Sequence, residues 1–120
     1  PVDGDRFAAA AVARTVMALG LALRNEPGDA EEAVRLADEA VAMYGKDRDD
    51  VDGDTVELHR MLTLLLAGEH DRALDEIERL LSRPSELGPG GLNLDPIYDP
   101  LRDSTRFQAL VRESEAGAGG

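Results

Sequence analysis

Apolar residues recur at spacings of three and four along most of the chain, and Gly, Pro or acidic clusters interrupt the pattern. From about Asp5 to Arg24, the residues Val12, Val16, Leu19, Gly20 and Leu23 share one helix face. Asp5 is the expected N-cap. Asn25, Glu26, Pro27 and Gly28 break the helix, because Pro lacks an amide proton and Gly relaxes the backbone. Asp29 with Glu32 has the form of a capping box and predicts a second helix ending near Tyr44, with Gly45 as its C-cap. A third helix is predicted from about Thr55 to Ala67, opened by Asp54 and Glu57 and carrying Leu58, Met61, Leu62 and Leu65 on one face. Gly68 stops it. A fourth runs from about His70 to Ser82, before Pro84.

A shift of 40 overlays the second and fourth helices. Gly28, Ala33, Val34, Ala37, Ala40 and Val41 fall on Gly68, Ala73, Leu74, Ile77, Leu80 and Leu81, so every core-facing position of one is apolar or small in the other. Two helical hairpins, about 5–45 and 54–83, are therefore the expected unit. Such repeats arise because one hairpin cannot bury its own apolar face. After them, Asp95-Pro96 and Asp99-Pro100 each pair a capping acid with a Pro suited to a first helical position. Short helical turns are expected there, with Leu92, Leu94, Ile97, Tyr98, Leu101, Phe107, Leu110 and Val111 covering the end of the fourth helix and Ser104 capping the last one. The expected layout is a single helical domain over 1–115, with 84–115 as its capping segment and 116–120 as a flexible tail.

Composition narrows the picture further. The only aromatics are Phe7, Tyr44, Tyr98 and Phe107, so the core must be built from Ala, Leu, Val, Ile and Met, which favours packed helices over sheets. Thirteen basic against 25 acidic residues leave a charge of −12, which opposes binding to nucleic acid and to anionic membrane surfaces. The absence of cysteine removes disulfides and thiolate chemistry and is compatible with a cytoplasmic protein. No apolar run approaches the roughly 20 residues of a membrane span.

Candidate chemistry is sparse. The acidic run Asp47, Asp49, Asp50, Asp52, Gly53, Asp54 suggests a calcium loop, but with Gly53 in the turn the loop would open on Arg48 and close on His59, where carboxylates are needed. His59 and His70 lack the spacing of metal pairs and read as surface or turn residues. Gly88 to Gly91 lacks the Lys and Ser/Thr of a phosphate loop and reads as a bend. No serine stands in a nucleophile elbow. No catalytic apparatus, cofactor or metal is expected.

The segment Leu19-Gly20-Leu21-Ala22-Leu23 with Gly28 and Ala33 resembles the tetratricopeptide pattern of a Leu-small pair, an apolar residue one turn on, a turn Gly and a contact Ala. The second hairpin is looser, with Met61 where a small residue is usual, Arg60 where Leu is, and a period of 40 against about 34. The stretch from Leu92 to Leu110, including Asn93-Leu94-Asp95-Pro96-Ile97-Tyr98-Asp99-Pro100, resembles the segment closing such arrays in bacterial signalling proteins, with Thr105 in place of a usual Pro. The resemblance covers most of residues 13–113.

It implies an all-α stack of antiparallel helical hairpins, a short solenoid, whose concave side binds another protein or peptide. On this chain that side projects onto Arg14, Met17, Leu21 and Arg24, with Thr55, Leu58 and Leu62 from the third helix. The two arginines could hold a carboxylate by bidentate hydrogen bonding. An equal alternative is that Met17 and Leu21 are covered by an upstream repeat or by a second copy, since stable solenoids need about three units. The expected function is a protein-interaction module of a larger bacterial signalling or regulatory protein, with a small-molecule or anion sensor, or self-association alone, as alternatives.

Overall fold

Large apolar side chains favour burial, yet two helices approach closely only where both present small ones, and this chain's alanines decide which arrangement it takes. The computed structural model describes residues 2–44, 51–82, 87 and 89–119, with side chains among them except at 2–8, 44, 51–54, 89 and 117–119. Every regular element among the described residues is helical, with no strand. The chain divides into two compact units, residues 1–69 and 70–120.

In the first unit α1 (Val2–Arg24), α2 (Asp29–Tyr44) and α3 (Val51–Leu66) each pack on the other two. Ala18 and Ala22 of α1 cluster with Ala33 and Ala37 of α2, bordered by Leu21, Leu36 and Leu66. Ala11 clusters with Ala40, Val41 and Val56, bordered by Val12. Along α1 the buried residues are thus Ala11, Thr15, Ala18 and Ala22, a seam that repeats every seven residues and alternates steps of four and three. The expected face was rotated. Val16 and Leu23 are exposed, Gly20 is exposed, and Val12 and Leu19 are only half-buried. Burying the seam of methyl groups lets the helix backbones approach and gain dispersion contacts along their length, which a row of Val and Leu would hold apart.

The third helix is also turned and longer than expected. It starts at Val51, so Asp54 and Glu57 lie inside it and do not cap it. Val56, Met61, Leu64 and Leu65 are buried, whereas Leu58 and Leu62 are half-buried. Glu57 and Thr63 are buried on the same helix, which makes its inward face partly polar. The N-cap expected at Asp5 and the C-cap at Gly45 lie outside the described side chains and residues; α1 itself begins at Val2.

The turn glycines follow the repeat closely. Gly28 and Gly68 have φ of 86° and 87°, the left-handed region in which a Cβ is strained. At α3 the Gly68 amide donates to Leu65 O at 3.2 Å and the Glu69 amide to Leu64 O at 2.9 Å, a Schellman closure that satisfies the last carbonyls. At α1 a residue earlier in the turn, Asn25 with φ 53°, takes the left-handed position after the helix. The expected capping box at α2 does not form. The Glu32 amide donates to Gly28 O, while the Asp29 carboxylate turns back to accept from the Glu26 amide and from Arg24.

The second unit holds α4 (His70–Leu81), α5 (Pro89–Leu94), a 3-10 helix over Pro96–Leu101 and α6 (Thr105–Gly119). Ala73, Leu74, Ile77 and Leu80 of α4 are buried, the same positions, shifted by 40, as Ala33, Val34, Ala37 and Ala40. Asp95 caps the 3-10 helix, accepting from the Ile97 amide at 3.1 Å. Asp99-Pro100 does not start a second turn: Pro100 lies inside that same helix. Glycines 90 and 91, expected in a bend, belong to α5, which Pro89 opens. Ser104 caps α6 by accepting from the Phe107 amide at 3.2 Å. The α6 backbone continues through Gly119, past the point where its small residues predict a flexible tail.

Leu92, Tyr98, Leu101, Phe107, Leu110 and Val111 are buried, with the Tyr98 and Phe107 rings stacked at 6.1 Å. Leu94, expected among them, is 82% exposed. Arg102 ties the irregular stretch together. Its Nη1 donates to Leu92 O and its Nη2 to Asp95 O, each at 2.9 Å, and its Nε to Asp99 at 2.8 Å. Arg106 joins α6 to α4 through Asp75 at 2.7 Å and Glu78 at 2.9 Å.

Candidate functional site

Once the alanine seam faces inward, Val12, Leu19 and Leu21 flank it half-buried and the remaining large apolar residues among the described side chains of α1 turn outward. Val16, Met17 and Leu23 are 55, 59 and 68% exposed. With Gly20 they lie within two turns on one side of the helix. Met17, Gly20, Leu21 and Arg24 line a shallow depression of about 310 Å³. A Cβ placed on Gly20 would meet nothing within 4 Å, so the middle of this face admits close approach.

Three of the residues projected onto the binding side, Met17, Leu21 and Arg24, are thus brought together. Arg14 lies outside that depression, and so do Thr55, Leu58 and Leu62, all half-buried on α3. Both arginines hold carboxylates of the chain itself. Arg24 grips Asp29 with two parallel bonds of 2.8 Å and stands 2.9 Å from Glu26. The Arg24 guanidinium, helped by the Glu26 amide, holds the Asp29 carboxyl down at about 2. Arg14 Nε donates to Glu39 at 2.9 Å and lowers that carboxyl as well. Both guanidinium groups thus pair with acids of α2, Arg14 from the middle of α1 and Arg24 from its last turn.

The least legible feature is polar and internal. Thr15, fully buried in the seam, donates to Val12 O at 2.7 Å and lies 2.9 Å from His59 Nδ1. A hydroxyl has one proton, so the ring must donate the second bond, which fixes the proton on Nδ1. His59 is half-buried against α1 and is not the surface residue its position suggests. The partners are 44 residues apart. Only the spacing of Thr15 within the small-residue seam hinted at its side of the contact. Asp38 of α2 also reaches α3, 3.4 Å from Arg60.

In the second unit burial pushes the Tyr98 phenol up to about 12. Its ring stacks on that of Phe107. Among the described residues no group of three His, Cys, Asp or Glu could hold a metal ion. None of the described helices is long and apolar enough to cross a membrane. No family model matches the chain, and no curated protein or solved structure matches it either.

Proposed function

We propose that the chain is a divergent tetratricopeptide-like array acting as a non-catalytic protein-interaction module, within a larger bacterial signalling or regulatory protein. The observation that carries the interaction role is the outward face of α1, where Val16, Met17 and Leu23 surround Gly20. The preferred occupant is an amphipathic helix, because a Gly flanked by large apolar residues accepts the ridge of another helix. The repeat reading draws support from Gly28 and Gly68, alike in φ, and from Ala33 and Ala73, both at 0% exposure. The chain's −12 charge favours partners with basic flanks.

The test is a paired capture experiment with the wild-type chain and a Met17→Glu, Leu23→Glu variant as baits, followed by hydrogen exchange on each recovered complex. Both positions are exposed, so the variant is expected to keep its helix content. Proteins held by wild type, lost by the variant and protecting residues 13–24 support the reading. Equal retention by both baits would sink it. Sedimentation over a range of concentrations separates a second copy of this chain from a foreign partner.

A further inference from the structure

An acidic chain leaves few cations unspoken for, so one that lacks a partner is informative. In the second unit Arg79 holds Glu76, Arg102 holds Asp99, and Arg106 holds Asp75 and Glu78. Arg112, exposed on α6, has no ion-pair or hydrogen-bond partner among the described residues. It lines a notch of about 290 Å³ with Asn93, Arg102, Phe107, Gln108 and Val111. The lining contains two arginines and no acid, in a chain where 25 of 120 residues are acidic.

The notch is organised, and of its two arginines Arg112 is the one whose charge is not matched by a carboxylate among the described residues. Arg102 is fixed by its bonds to Leu92 O, Asp95 O and Asp99, and Gln108 Nε2 donates to Arg102 O at 2.9 Å. That bond pins the Gln108 amide and leaves its carbonyl oxygen as an acceptor. Phe107 and Val111, both buried, form an apolar floor. A volume of about 290 Å³ lies at the small end of ligand pockets.

We infer that this notch binds a small organic carboxylate of amino-acid size, its carboxylate on the Arg112 fork, its apolar body over Phe107 and Val111, and an amide group against Asn93 and Gln108. Arg supplies planar, two-point recognition of a carboxylate that a point charge does not. The inference rests on residues of the second unit alone and is independent of the α1 face.

The probe is N-acetyl-leucine, titrated into the full chain and followed by amide and side-chain NMR shifts, with N-acetyl-leucinamide and inorganic phosphate as parallel arms. The expected result is saturable shifts at Asn93, Gln108 and Arg112 with the carboxylate and none with the amide. Arg112→Ala should weaken binding about tenfold or more, and Arg112→Lys by less. Since exposed Arg112 makes no ion pair or hydrogen bond among the described residues, both variants should keep a melting temperature close to that of wild type. Equal response to the leucinamide, tighter binding of phosphate than of the carboxylate, or unchanged affinity in R112A would each overturn the inference.

Discussion

The two units solve the same problem with opposite materials. The first closes α1 on α2 through a row of alanines, whereas the second fixes short, irregular helices around Tyr98, Leu101, Phe107 and Leu110. Straight helices can use methyl groups because close approach runs their whole length, so many small contacts add up. A six-residue helix and a 3-10 turn have no such length, and each must be anchored by one large side chain. The contrast also explains where apolar residues are left over. The alanine seam displaces Val16, Met17 and Leu23 to the surface, while the second unit spends nearly all its large side chains inside, Leu94 excepted.

If single large anchors hold the second unit, removing one should have the largest effect. Phe107→Ala deletes a ring that is 2% exposed and stacked on Tyr98, and is expected to destabilise by about 3–5 kcal/mol. Urea denaturation checks this, with loss of the near-ultraviolet tyrosine signal as a second readout. A cost under about 1 kcal/mol would mean that the anchor picture is wrong. In the first unit enlargement, not truncation, is the revealing change. Ala37→Leu inserts three carbons into a seam position with no exposure, and strain of about 1–3 kcal/mol is expected. The same substitution at exposed Ala42 should be nearly neutral, so equal effects at the two sites would break the comparison.

A smaller effect tests the forty-residue echo. Gly28→Ala and Gly68→Ala each force a Cβ into the left-handed region, at about 1–2 kcal/mol. Similar losses at both positions are expected from their shared φ, because neither added methyl would meet a neighbour within 4 Å. Gly20→Ala is the internal control. It lies in a regular helix with open space beside it, and should stabilise by about 0.5–1 kcal/mol.

These positions also show what the sequence carried and what it hid. Element type, the turn glycines, the Asp95 and Ser104 caps and the inward positions of α2 and α4 could all be read from local rules, because each depends on neighbours within four residues. The rotation of α1 could not. Val12, Val16, Leu19 and Leu23 outweigh the alanines in any hydrophobic pattern, yet burial went to the side that lets backbones meet. On α3, Glu57 and Arg60 blurred the apolar face, and the structure buries Glu57 beside Val56 and Met61. Pairings such as Thr15 with His59 depend on how three helices meet and leave no mark in local spacing. The pairings of Arg14 and Arg24 were hidden for a related reason: a sequence displays cations but not the carboxylates that the fold of the hairpin brings to them.

The smallest expected effect bears on that last point. Asp29 is held at about 2, below its ordinary value near 3.8, chiefly by the two bonds from Arg24. A carboxyl lowered in the folded state contributes stability above its unfolded value, and that contribution fades as pH falls from about 4 toward 2. Asp29→Asn should therefore be less stable than wild type at pH 6, with the gap narrowing across that window. Arg24 is 58% exposed, so salt should shrink the gap at pH 6 as well. Urea midpoints for both proteins at several pH values give the curve directly. No gap at any pH would mean that Asp29 acts at the turn through its bond to the Glu26 amide, which Asn can keep, and that the Arg24 bonds contribute nothing to stability.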